Sequence, residues 1–376
     1  MKLINISVIF LTAALLFIPL SSYSINYNGV DIKFRGSASE TYDDNITFVN
    51  DDKKNDFITN LTLGLSAKYE GKTTTLELGG GITQQIFAAN HNYNNLSENL
   101  TLNFQQEFSK YDRISINNIF THTYEPRSFE DEFGRTSGRY GYYRNKFNFD
   151  YTRDITKQFS VTAKYANEID YISREDMKDS YLNRAGIEAD YSLSSTTILF
   201  VSYDFMNRKF VHDDDSSTNS IASGIRHYLT KQIYFDGRIG VDFIRSYNDE
   251  NYTRPLISAS ITDELDENTR LSISFKKEDY TSSYEEDLFN HWRASVLFTR
   301  QLAERLSCSL SGFYGEGKYV LLDIKDKLLG ASIACSYDFR ENLKGNLKYT
   351  YSDVNSTIES RKYTKNTVTL GLSIDF

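Results

Sequence analysis

The last fifteen residues, Lys362 to Phe376, constrain the fold more than any other stretch. Val368, Leu370, Leu372, Ile374 and Phe376 are apolar, and Thr367, Thr369, Gly371, Ser373 and Asp375 between them are small or polar. Strict period-two alternation gives a β-strand one apolar face and one polar face.

The same rule holds along most of the chain. Val30, Ile32 and Phe34 alternate with Asp31, Lys33 and Arg35; Phe57 to Tyr69 and Leu76 to Ile86 follow. Leu329, Ala331, Ile333, Cys335, Tyr337 and Phe339 make a late example, and the segment Ile221, Ile225, Leu229 is the weakest. The count is about 18 strands, an even number as single-chain outer-membrane barrels require. Short links such as Glu70–Lys72, Ser109–Asp112 and Thr230–Gln232 alternate with longer polar ones. The longer set is Asp43–Asp56, Ala88–Asn95, Glu125–Gly138, Ser173–Ser180, Asn207–Ser217, Gly315–Asp326 and Asn355–Ser360. Gly71 is expected to supply a positive φ in the first short turn. Short periplasmic turns and longer extracellular loops fit an all-β transmembrane antiparallel barrel, which a soluble sandwich does not explain.

Mean hydropathy is −0.49, the value of a soluble chain. Alternating strands hide their apolar face from such an average, so this does not exclude a membrane barrel. Aromatics are 14% of residues and gather near strand ends (Tyr69, Tyr111, Tyr151, Tyr171, Tyr191, Tyr228, Tyr247, Tyr337, Tyr351), as an interfacial girdle requires. Only 3 Pro leave the strands uninterrupted. Met1-Lys2, the apolar run Leu3–Leu20 and Ser21-Ser22-Tyr23-Ser24 read as a signal peptide over residues 1–24, leaving 25–376 as the barrel. About five residues between cleavage site and first strand leave no room for a plug domain. The closing strand resembles the C-terminal signal of outer-membrane barrels, in which the terminal residue, here Phe376, is read by the barrel assembly machinery. The expected location is the outer membrane of a Gram-negative bacterium, with membrane lipid as the partner of the apolar face. Cys308 and Cys335 are expected as unpaired, apolar-facing thiols, because a bridge between paired strands needs particular geometry.

A charge facing lipid costs about 2–4 kcal/mol at mid-bilayer, so strand charges are expected to face a wet lumen. The lumen-lining candidates are Arg113, Arg144, Lys146, Lys164, Arg184, Arg226, Arg238, Lys276 and Arg293, with Glu168, Asp170, Glu188, Asp204, Asp236 and Asp242. A modest basic excess on this face would favour anionic solutes. Glu130, Asp131, Glu132 and Arg135, in the third outer connection, are the candidate constriction loop. Asp43-Asp44, Asp51-Asp52 and His212 to Asp215 lack calcium-loop spacing and are expected to be solvated tips.

The five His are scattered, with no HExxH or GxSxG, so no catalytic, cofactor or metal site is assigned and an enzyme is not expected. The net charge of −9 argues against a nucleic-acid partner.

Ser39-Glu40-Thr41-Tyr42-Asp43-Asp44-Asn45-Ile46, then Asp56-Phe57-Ile58-Thr59 and Leu63-Gly64-Leu65-Ser66, resembles the opening of the β-barrel porin-2 family. The motif covers about a tenth of the mature chain, and Leu63 stands where many members carry Pro. The resemblance implies an outer-membrane channel, often associated with exopolysaccharide export, and a polysaccharide export complex as partner. It carries over no catalytic residues. The sequence thus points to a porin-like channel; the alternative is a barrel that anchors adhesive or partner-binding surface loops without transport.

Overall fold

The computed structural model describes residues 25–124, 139–175, 177–211, 215–246, 249–282 and 287–376. Residues 1–24 and the Glu125–Gly138 connection, which holds Glu130, Asp131, Glu132 and Arg135, lie outside the described residues.

A three-residue strand β1 (Ile25–Tyr27) is followed by β2 (Val30–Asp43), β3 (Asp56–Glu70), β4 (Thr74–Phe87), β5 (Asn95–Glu107), β6 (Asp112–Thr123) and β7 (Tyr142–Asp154). The second third is β8 (Phe159–Ile172), β9 (Ser180–Ser192), β10 (Thr197–Phe210), β11 (Asp215–Tyr228), β12 (Ile233–Arg245) and β13 (Asn251–Asp266). The last is β14 (Thr269–Thr281), β15 (Leu288–Ala303), β16 (Leu306–Tyr319), β17 (Lys325–Arg340), β18 (Leu343–Ser356) and β19 (Tyr363–Asp375). From β2 onward each strand pairs antiparallel with its successor, and β19 returns to β2 between Asp375↔Arg35 and Thr367↔Asp43. Eighteen strands therefore close into a barrel, and no ladder edge is left unpaired in lipid. β1 is an added arm, turned back onto β2 by Asn28 and Gly29 at φ 51° and 81°.

Alternation sorts the two faces. Phe57, Leu63 and Leu65 lie exposed on the outside of β3 while Ile58 between them is buried within. Exposed Ile, Leu, Val and Phe side chains recur in this way on nearly every strand, giving the outer apolar face. Tyr69, Tyr111, Tyr171, Tyr191 and Tyr337 are exposed near strand ends as expected of a girdle; Tyr228 instead turns inward beside Tyr234, and Tyr247 lies outside the described residues.

Several expectations are corrected. The expected loops Asn207–Ser217 and Gly315–Asp326 contract because β10 runs to Phe210 and β16 to Tyr319, whereas the weakest expected strand, around Ile221 and Ile225, forms as β11. Beyond the lipid belt both faces of a strand are polar, so alternation disappears before the strand does. Gly71 is not left-handed; its turn closes by Gly71 N–H donating to Thr74 O at 2.8 Å. Cys308 and Cys335 are directly opposite on β16 and β17 and form a disulfide, with Cα atoms 4.1 Å apart. Their pairing depends on register, which neither strand reveals alone.

The first outer connection, residues 44–55, folds into the barrel mouth. Phe48, left-handed at φ 57°, packs with Phe289, Tyr319, Leu328, Val354 and Tyr363 in an apolar cluster on the β15–β19 side. Asn45, fully buried, donates from Nδ2 to Val49 O at 2.7 Å and Thr364 O at 3.0 Å. Asp43 and Asp44 are thus structural anchors, not solvated tips: Asp44 accepts from Asn366 N–H and Nδ2, each at 2.7 Å. Asp51 and Asp52 are exposed as expected.

A second infolding is made by the β14–β15 hairpin. The β13–β14 ladder ends at Ile257↔Lys277, while β13 continues upward with β12 to Asn251↔Arg245. Above that point β14 parts from β13 while β15 stays paired with β16 to Phe289↔Tyr319, and the end of β14 leans across the lumen, so that Thr281 Oγ1 lies 2.8 Å from Ser216 Oγ on β11.

Candidate functional site

The inner face of β7 to β12 carries most of the predicted lumen charges, and register decides who meets whom. Arg144 sits opposite Asp170 and Lys146 opposite Glu168. Arg144 Nε donates to Asp170 Oδ1 at 2.5 Å, its Nη2 lies 3.2 Å from Glu168 Oε1, and Lys146 Nζ is 3.4 Å from Glu168 Oε2. Arg208 joins them from β10, 3.3 Å from Glu168 and 3.9 Å from Asp170. Tyr142 OH donates to Asp170 Oδ1 at 2.9 Å, so this carboxylate, 1% exposed, is held from several sides. A charge so far from water is tolerable only when paired and hydrogen-bonded like this.

Lower in the barrel, Glu188 takes Lys164 at 2.8 Å and Arg238 at 2.6 Å. Arg226 pairs with Asp236 at 2.6 Å, and Arg113 with Asp154 at 3.1 Å near the short-turn end. Asp242 is 2% exposed beneath the infolded hairpin, and Asp204 lies beside Gly186 on β9. Arg184 stands apart. Its cross-strand neighbours are Ala166 and Met206, and among the described residues its Nη2 reaches only the Met206 sulfur, at 3.9 Å.

Across from this wall, the infolded β14–β15 hairpin supplies Lys276, paired with Glu278 at 2.6 Å, and Arg293, whose guanidinium lies 3.9 Å over the Phe313 ring. Between hairpin and wall is a cavity of about 450 Å³ lined by Arg144, Lys146, Glu168, Arg184, Met206, Arg208, Lys276, Glu278, Asp279, His291 and Arg293. The structure brings Arg144, Lys146, Glu168, Arg184, Lys276 and Arg293 to this one cavity. Arg113 and Arg226 are engaged elsewhere.

Sequence reasoning missed Arg208, Glu278, Asp279 and His291. Arg208 falls in the expected loop Asn207–Ser217, although it continues the inward parity of Asp204 and Met206 two residues along the same strand. The others lie near the end of a hairpin whose inward bend has no sequence signal. Among the described residues no three His, Cys, Asp or Glu side chains converge on a metal-sized site.

No family model matches the chain, and no curated protein matches it in sequence. Solved structures do share its fold. Acinetobacter baumannii OccAB4 is similar at TM-score 0.50 and 10% identity, with 96% of this chain and 100% of that one covered. Pseudomonas aeruginosa OccK5 (OpdH) is similar at TM-score 0.51 and 12% identity, covering 92% of this chain and 98% of that one. The Neisseria meningitidis FrpB iron transporter is similar at TM-score 0.50 and 9% identity over 90% of this chain, which spans 64% of that protein. The fold is an outer-membrane β-barrel. With a closed even-stranded wall and an apolar outer face, this protein resides in a Gram-negative outer membrane.

Proposed function

We propose that the barrel is a passive, porin-like channel through which small hydrophilic solutes cross the outer membrane. The carrying observation is the cavity of about 450 Å³ where charged side chains of β7 to β10 face the infolded β14–β15 hairpin. A solute there exchanges part of its hydration shell for Arg, Lys, Asp and Glu side chains. Because most of these are already ion-paired, the wall stays wet without holding a solute tightly, which passage requires. The likeness to solved outer-membrane barrels supports this reading through the fold.

The resemblance of Ser39–Ile46 to the porin-2 family supports a finer reading, an exported exopolysaccharide as solute and a polysaccharide export complex as partner. In the same reading, residues 1–24 direct export and the assembly machinery reads Phe376.

Reconstitution in planar lipid bilayers tests the channel. Stepwise ionic current is expected, and its reversal potential in a salt gradient reports ion preference. A correctly folded barrel that passes no current sinks the proposal.

A further inference from the structure

Alternation puts Phe34, Ala38, Glu40 and Tyr42 of β2 on the outer face, with Phe57, Thr59 and Leu61 of β3 beside them. The Tyr42 and Phe57 rings, 5.1 Å apart, belong to the extracellular girdle. One outward step nearer the bilayer, Glu40 stands between Thr59 and Leu370, and Thr59 Oγ1 donates to Glu40 Oε2 at 2.8 Å. Below this pair the outer face is hollowed into an apolar trough of about 750 Å³, lined by Ala38, Leu61, Leu347, Leu370 and Leu372. Polar side chains recur at the same step elsewhere on the wall. Asn145, two residues below Tyr143, exchanges amide hydrogen bonds with Asn118 at 3.0 Å each way. Asn183, two below Tyr181, accepts from Tyr165 OH at 2.8 Å, and Glu98 lies 3.4 Å from His122. The periplasmic girdle differs. Two residues toward the bilayer from Phe34, Tyr69, Tyr151 and Tyr191 stand Gly36, Ala67, Phe149 and Ala189, none with a hydrogen-bonding side chain.

The wall therefore offers different chemistry to the two leaflets. Polar groups at the edge of hydrocarbon are costly unless hydrogen-bonded. A carboxylate accepts and cannot donate, and Thr59 serves only part of the capacity of Glu40. The ester linkages of a phospholipid supply acceptors at that depth, whereas an amide N–H and an acyl-chain hydroxyl supply donors. We infer that the trough holds an amide-linked, hydroxylated acyl chain of an outer-leaflet glycolipid, whose hydroxyl and amide N–H donate to Glu40. The tail of the chain lies along Leu370, Leu347 and Ala38, where apolar contact holds it. The trough is outside the barrel, so the inference stands whether or not the lumen conducts.

Native mass spectrometry of the purified full chain, delipidated and folded in detergent, tests it. The probe is the β-hydroxymyristoyl amide of glucosamine; the myristoyl amide without the hydroxyl and the diester dimyristoyl phosphatidylcholine are the comparisons. The parent is expected to retain the probe about tenfold better than the diester, and Glu40→Leu to remove that preference, as loss of hydrogen bonds to a charged group implies. Glu40→Gln should keep part of it. Ala38→Phe fills the trough and should lower retention of all three. Folding of each variant is read from its heat-modifiable gel mobility. Equal retention of the probe by the parent and Glu40→Leu overturns the inference. So does a folded parent that retains either comparison lipid as well as the probe, or retains none of them.

Discussion

Lys365 Nζ lies 2.8 Å from Asp43 Oδ2 where the last barrel strand meets the first, with side chains only 7% and 2% exposed. Phe48 covers the ammonium at 3.8 Å, Asn45 N–H donates to Asp43 Oδ1 at 2.9 Å, and Arg139 approaches Asp43 at 3.7 Å. Removing one member of such a group strands the remaining charge away from water, at a cost of about 3–5 kcal/mol. Asp43→Ala is therefore expected to lower the urea midpoint of the lipid-reconstituted barrel markedly. The seam's other ion pair, Arg35–Asp375 at 2.6 Å, is far more exposed, and Asp375→Asn should cost about 0–1 kcal/mol. Similar losses from the two variants would contradict this division of the seam.

The Cys308–Cys335 bridge ties neighbouring strands on the lipid-facing side, 27 residues apart in sequence. Maleimide should not label the native protein until it has been reduced and unfolded. The double variant Cys308→Ser/Cys335→Ser should lose about 2–4 kcal/mol of stability, the usual effect of opening such a loop. Thiol labelling of the untreated protein, or an unchanged unfolding midpoint in the double variant, would count against a structural bridge.

Thr281 and Ser216 meet at 2.8 Å although β12 and β13 separate their strands along the wall, so the upper end of β14 leans into the lumen. A Ser216→Cys/Thr281→Cys pair is expected to cross-link on oxidation and leave single-channel conductance unchanged, because the bond records a position already taken. A fall in conductance on cross-linking would place the hairpin elsewhere during conduction.

The barrel itself was legible because lipid imposes one rule on every strand, visible even in Leu271, Ile273 and Phe275. The rule lapses above the membrane, so Arg208 and Tyr319 fall within expected loops although both sit on strands. Inward charges could be listed from parity, but their partners could not. That Arg144 meets Asp170 while Arg184 meets Met206 is a matter of register between strands twenty or more residues apart. The disulfide stayed hidden for the same reason. The inward bend of β14–β15 is more remote still, since it depends on Ser216 and Thr281 finding each other across a space that appears only once the barrel closes.

Phe376 extends the closing ladder by one residue. Its N–H donates to Phe34 O at 2.8 Å, Phe34 N–H donates back to Phe376 O at 2.6 Å, and the two rings stack with centroids 6.2 Å apart. Ile374 beneath them is 3% exposed and packs over Gly36. Deleting Phe376 removes two terminal hydrogen bonds, each worth about 0.5–1.5 kcal/mol net, a small loss beside the thirteen-residue strand that remains. A channel already assembled should therefore conduct normally without it. If the residue is also the signal read during insertion, the amount of heat-modifiable barrel in the outer membrane should fall far more than that stability loss explains. Parallel measurement of membrane yield and single-channel conductance separates the two contributions. Normal yield from the truncated chain would reduce Phe376 to a seam residue with no role in assembly.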